Sequence, residues 1–262
     1  MLGARASLPR WHADPVITAG IDLAAAPRGT AVAHVDWRAG PAVVTDVVVG
    51  ADDDALVAVL RGPATKVGID SPLGWPSDFV AFVTAHHQDE VPFDAAEQPR
   101  WKVPLVNRAT DLHVRQQVGL VPLSVSADLI GHTALRCATV LAQARVRGVD
   151  VRRDGAGTVA EVYPAAALKQ WGLPHRGYKG RALTAARAAL VTALQEAAPW
   201  LDLGDHEPTV RASDHALDAV VGALVARAVA LGRTAPPDTR MAAREGWIHY
   251  PTGPLRDLVA TD

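Results

Sequence analysis

From Val16 to Leu23 the chain alternates, with Ile17, Ala19, Ile21 and Leu23 on one side, the period of a half-buried strand. Gly29 to Trp37 and Pro41 to Val49 repeat this Val- and Ala-rich pattern, separated by Arg38-Ala39-Gly40. Such short spacing around a turn-forming glycine predicts hairpin connections, hence an antiparallel meander of three strands. Asp52-Asp53-Asp54 then opens a short helix running to Arg61, where acids favour the positive end of the helix dipole. Thr65 to Asp70 reads as a fourth strand, stopped by Ser71-Pro72. A right-handed crossover lays this strand parallel to the first and beside it.

The rest of the chain is mostly helical. Ile130, Ala134, Cys137, Leu141 and Ala144 form an apolar stripe at helical spacing, and Arg181 to Ala198 and Ser213 to Leu231 predict two more helices. Thr158 to Tyr163 is a short fifth strand, and Trp247 to Tyr250 a late extended segment. Pro72 to Asn107, with prolines at 72, 76, 92, 99 and 104, reads as a loop or insertion, and a loop of that length usually serves a site. The expectation is a single α/β domain over residues 1–262, with a mixed sheet of three antiparallel strands followed by parallel ones, flanked by helices.

Composition narrows the function. With 262 residues, about half of them apolar, the chain buries a large core. No apolar run spans a bilayer, and Met1 to Asp14 lacks the apolar centre of a signal peptide. A lone cysteine, Cys137, fits a reducing compartment, so a cytoplasmic protein is expected. A net charge of −2 weighs against a tight, non-specific nucleic-acid binder, while leaving room for a local basic strip. Nucleic acid therefore stays a candidate partner without support from charge, and no membrane partner is expected.

Candidate chemistry lies in acids at strand ends. Asp22 closes the first strand, Asp70 the fourth, and Glu161 sits in the fifth. A carboxylate in an apolar strand is costly to bury unless it is paired, hydrogen-bonded or metal-bound. The plainer reading of each acid alone is a turn cap or an arginine partner. Three together point to a hard divalent cation, Mg²⁺ or Mn²⁺, because neighbouring carboxylates repel unless a cation neutralises them. Asp218, a full turn inside a helix beside the stripe of Leu217, Val221, Leu224 and Ala228, is the fourth candidate. Small Ala219, Gly222 and Ala223 would let that helix approach the sheet closely, while Asp214 suits the helix N-terminus.

These segments occur in order: Gly20-Ile21-Asp22-Leu23-Ala24, Gly68-Ile69-Asp70-Ser71-Pro72-Leu73-Gly74, Glu161-Val162-Tyr163-Pro164-Ala165-Ala166, Asp218-Ala219-Val220-Val221-Gly222-Ala223-Leu224 and Glu245-Gly246-Trp247-Ile248. From about Ile17 to Pro251 the chain resembles the domain-of-unknown-function family 429, a group of predicted nucleases with a ribonuclease H-like fold. The resemblance implies an acidic, metal-dependent site with Asp22, Asp70 and Asp218 at its motif positions. His215-x-x-Asp218-Ala219 also resembles the closing motif of Holliday-junction resolvases. The first-helix glutamate of ribonuclease H has no counterpart beyond Asp52 to Asp54, which leaves Glu161 to supply a fourth ligand.

The reading that follows is a nuclease hydrolysing phosphodiester bonds with two metal ions. Asp22 bridges them, Asp70 and Asp218 each complete one, Glu161 ligates or positions water, and His215 shuttles a proton or is a plain surface histidine. Arg108, Arg115, Lys179 and Arg181 are candidate substrate contacts. An Arg108–Asp111 ion pair at a helix start is an equal reading of the first. Trp75 and Trp101 either stack on bases or anchor their loop. Two alternatives remain: an actin-like-fold phosphotransferase, faintly suggested by Gly20-Ile21-Asp22 and Arg28-Gly29-Thr30, and a non-catalytic binding or scaffold domain.

Overall fold

The computed structural model describes residues 17–38, 41–91 and 102–259. Strands β1 (Ile17–Asp22), β2 (Ala31–Asp36) and β3 (Ala42–Val49) precede helix α1 (Asp53–Arg61) and β4 (Lys66–Asp70). Then come α2 (Ser77–His87), α3 (Lys102–Val106), α4 (Ala109–Val118), α5 (Ile130–Val146), β5 (Val159–Val162) and α6 (Pro164–Gln170). The last third holds α7 (Thr184–Ala197), β6 (Leu201–Asp202), α8 (Glu207–Ala212), α9 (Asp214–Ala230), α10 (Thr239–Glu245) and β7 (Ile248–His249).

These strands form one seven-stranded sheet in the order β6-β3-β2-β1-β4-β5-β7. The first three pair antiparallel, and β4, β5 and β7 then add parallel to β1 on its other side, while β6 joins β3 in parallel. This is an α/β architecture with a mixed sheet flanked by helices, consistent with a ribonuclease H-like fold. Among the described residues no helix is long and apolar enough to cross a membrane.

Two apolar layers sandwich the sheet. On one face Ala19, Ile21, Val67, Ile69 and Val159 pack with Leu56, Val57 and Leu60 of α1 and Cys137, Val140, Leu141 and Ala144 of α5. On the other, Ala31, Ala33, Val35 and Val162 meet α9, backed by α7 and α6. The predicted stripe on α9 widens here to the whole circumference, with every residue from Ala216 to Ala228 buried. A helix held between a sheet and other helices needs an apolar surface all round.

Glycines on the strands set how closely α9 approaches. Gly20 and Gly68 are register partners on β1 and β4. A Cβ on Gly20 would lie 1.9 Å from the Ala219 carbonyl oxygen, and one on Gly68 2.5 Å from that of Gly222. Thr18 Oγ1, two residues before Gly20, donates to the Ala223 carbonyl at 2.9 Å. The helix backbone therefore rests directly on the strands.

Pro72 to Asn107, expected as a loop, contains α2 and α3. The prolines mark helix starts: Pro76 occupies the N-cap of α2, and Pro104 lies within the first turn of α3, where a missing N–H costs nothing. Trp101, Pro92, Pro99, Val16 and the N-terminal segment fall outside the described residues.

Candidate metal centre

Side chains in a strand alternate between faces, so Gly20 and Asp22 share a face, as do Gly68 and Asp70. Asp22 and Asp70 are themselves register partners across the parallel pair, which sets the two carboxylates side by side at the ends of their strands. The helix that rests on Gly20 and Gly68 delivers Asp218, one turn before Gly222, to the same spot. One oxygen from each of Asp22, Asp70 and Asp218 lies within 4.8 Å of the others. Ligands opposite one another on an octahedral Mg²⁺ are separated by about 4.2 Å, so small side-chain rotations bring this set onto one ion. An all-oxygen donor set suits Mg²⁺ or Mn²⁺ and disfavours zinc.

Protein donors already face the cluster. His215 Nδ1 donates to Asp22 Oδ2 at 2.6 Å. Tyr178 Oη donates to Asp218 Oδ1 at 2.7 Å, and Lys179 Nζ lies 2.6 Å from Asp218 Oδ2. Asp70 accepts no hydrogen bond among the described residues.

Electrostatics follow this geometry. Burial pushes the Asp70 carboxyl well above the usual range, against the pull of Lys179 and with added repulsion from Asp22 and Asp218. Burial likewise pushes Asp218 up to about 6, opposed by Lys179. Lys179 loses some basicity to burial, but the carboxylates of Asp218 and Asp70 outweigh that and raise it overall. The hydrogen bond to Asp22 raises His215 above an ordinary imidazole, against the opposing effect of its partial burial.

A buried brace positions Lys179. Arg187 donates to the carbonyls of Tyr178 and Gly180 at 3.0 and 3.2 Å, and to that of Ala212 at 2.7 Å. Asp214 Oδ2 accepts from the Gly180 N–H at 2.8 Å, and Gly180 adopts φ +96°, which glycine tolerates best. Asp214 thus orders the loop as well as lying at the N-terminus of α9, where Ser213 is the cap.

Glu161 was expected beside the aspartates, and the sheet register sets it apart. It pairs with Ile69, one residue before Asp70, so it emerges on the opposite face. There both of its oxygens are bound by Arg108, at 2.7 and 2.8 Å, and one also accepts from the Leu73 N–H. Arg108, expected to contact a phosphate, is 1% exposed and spends its guanidinium on Glu161, Asp111 and the Glu245 carbonyl. The ion-pair reading of Arg108 and Asp111 holds at 2.8 Å. Arg115 and Arg181 are exposed, and neither bonds to the cluster among the described residues.

Of the expected site residues, then, the fold gathers Asp22, Asp70, Asp218, His215 and Lys179, while Glu161 and Arg108 are paired with each other beside the cluster rather than within it. In the first-helix acids, Asp52 caps α1 and Asp53 binds Arg136 at 2.7 Å. Tyr178 and Arg187 were not singled out, and the only local signal for them is the Tyr178-Lys179-Gly180 turn. A cavity of about 270 Å³ opens beside the cluster, lined by Asp70, Lys179, Arg108, Glu161, Leu123 and Tyr163 among others, so the Arg108–Glu161 pair forms part of its wall. A more open hollow of about 470 Å³ is lined by Trp75, Phe79, Leu129, His132 and Leu135 among others.

A family model described as "Protein of unknown function (DUF429)" matches residues 20–242. The chain belongs to this family. The matched span of the DUF429 model contains all three aspartates, His215 and Lys179. No curated protein and no solved structure matches the chain.

Proposed function

We propose that this protein is a divalent-metal-dependent nuclease, a hydrolase of phosphodiester bonds that works in the cytoplasm with Mg²⁺ or Mn²⁺. The observation that supports this best is the convergence of Asp22, Asp70 and Asp218 oxygens within 4.8 Å from two strands and a helix. A free, buried Cys137 agrees with a reducing compartment. The cluster of Asp22, Asp70 and Asp218 would supply the negative pocket for the metal, which when bound supplies an activated water and charge stabilisation at the phosphorus. His215, hydrogen-bonded to Asp22 and 41% exposed, exchanges a proton with solvent. Lys179, Arg181 and Arg115 offer donors to substrate oxygens, and Arg108 with Glu161 serves as the internal brace of that rim. Trp75, in the larger hollow beside Phe79, is placed to stack on a base.

A non-catalytic reading draws on the same site, since Lys179 and His215 already offset part of its negative charge. Metal decides between the two. With Mn²⁺ a hundredfold above its Kd, the native state gains about 2.7 kcal/mol by mass action. For a chain of this size that raises Tm by about 5–10 °C. The expected result is that rise in wild type, its loss in Asp22→Asn, and Mn²⁺-dependent cleavage of DNA or RNA substrates by wild type alone. Cleavage that persists in Asp22→Asn, or a flat Tm in both proteins at millimolar metal, would overturn the nuclease reading.

A further inference from the structure

The three aspartates offer six carboxylate oxygens, and protein donors hold three of them. Tyr178 and Lys179 occupy the two oxygens of Asp218, at 2.7 and 2.6 Å, and His215 occupies Asp22 Oδ2 at 2.6 Å. Asp22 Oδ1 and both oxygens of Asp70 have no protein donor among the described residues. Three open oxygens suit one octahedral ion, whose remaining positions go to water and substrate. A second ion would need the Asp218 oxygen that now faces the ammonium. Charge points the same way. With Lys179 already on Asp218 and His215 on Asp22, a second divalent ion would add two more positive charges to a cluster of only three carboxylates.

Resting on the metal reading above, we infer that Lys179 takes the place of a second metal ion, so that the site holds one divalent cation on Asp22 and Asp70. This departs from the two-ion arrangement expected from the sequence. Lys179 suits the role because its backbone is fixed on both sides: Arg187 holds the carbonyls of Tyr178 and Gly180, and Asp214 holds the Gly180 N–H. Its side chain remains 55% exposed, and it lines the 270 Å³ cavity together with Asp70. A phosphate entering there meets the ion's side of the cluster at Asp70 and the ammonium opposite.

Counting bound Mn²⁺ tests the inference, by calorimetry and by the electron paramagnetic resonance signal of free ion, with thermal unfolding as a check on folding. Wild type and Lys179→Arg are expected to bind one ion, Lys179→Met two, and Asp70→Asn at least tenfold more weakly than wild type. Two ions in wild type, or a single ion in Lys179→Met, overturns the role of Lys179 while leaving the metal site standing. No saturable Mn²⁺ binding in wild type removes the metal reading itself, and the inference with it. Should Lys179→Met fail to fold, the counts in wild type and Lys179→Arg still decide, since two ions in either overturns it.

Discussion

Replacing Gly20 by alanine should unseat the helix that carries Asp218. A Cβ at this position would stand 1.9 Å from the Ala219 carbonyl oxygen and 2.3 Å from the Ala223 amide nitrogen, both backbone atoms of α9. Ordinary contact begins near 3.4 Å, so helix and strand must part by roughly 1.5 Å. Neither side yields easily, because β1 is paired on both edges and α9 is buried along most of its length. Overpacking of this kind costs typically 1–3 kcal/mol and more where backbone must move. A loss of about 3 kcal/mol or more is therefore expected, or a fall in Tm of about 6 °C or more. The same displacement draws Asp218 away from Asp22 and weakens the stabilisation that Mn²⁺ supplies. Gly222→Ala makes the contrast. Its Cβ would meet nothing closer than 3.5 Å, and alanine is the better helix former by about 1 kcal/mol. That variant should be neutral or slightly stabilising, although Gly222 lies at the same crossing. Urea denaturation of both variants, with and without Mn²⁺, measures this directly. Equal costs for the two substitutions, or a Gly20→Ala loss below about 1 kcal/mol, would refute the claim that the strand glycines seat the helix.

Other outcomes follow from the same geometry. Glu161→Gln removes one carboxylate from the buried Arg108 cluster and should cost about 3 kcal/mol, yet leave the Mn²⁺-induced rise in Tm intact; losing that rise would return Glu161 to the ligand set. His249 is 3% exposed, and burial pushes its imidazole down to about 4, so the native state keeps it neutral where the unfolded chain, titrating near 6.5, takes up a proton. Because the unfolded state then binds more protons, this group makes stability fall as pH drops from about 6.5 towards 4, by about 3 kcal/mol over the whole window. His249→Gln should flatten that part of the stability curve relative to wild type; parallel curves from urea denaturation at several pH values would show the histidine to be titrating normally.

The sequence by itself determined the main strands, the longer helices and the acids that end the strands, while α2 and α3 lay hidden in a proline-rich stretch read as a loop. Alternation and Val-rich runs marked β1 to β3, short apolar runs marked β4 and β5, the apolar spacing marked α5 and α9, and Gly20-x-Asp22 and Gly68-x-Asp70 placed a small residue and an acid on one face of each strand. Asp22 and Asp70 were legible for that reason and Asp218 from its place beside a helical apolar stripe, since face and period are local properties of the chain. What only the tertiary structure decided was register and arrival. A single residue of offset, Glu161 against Ile69 rather than Asp70, turned a candidate ligand away from the aspartate oxygens and onto Arg108, within the wall of the neighbouring cavity. Nothing in the local pattern carries that offset, because it arises from pairing between segments about 90 residues apart. Arg108 was drawn inside by the same acid, and Lys179 was brought to Asp218 by a turn held through Arg187 and Asp214. Which cation meets which carboxylate depends on distant backbone, and so it becomes readable only once the chain has folded.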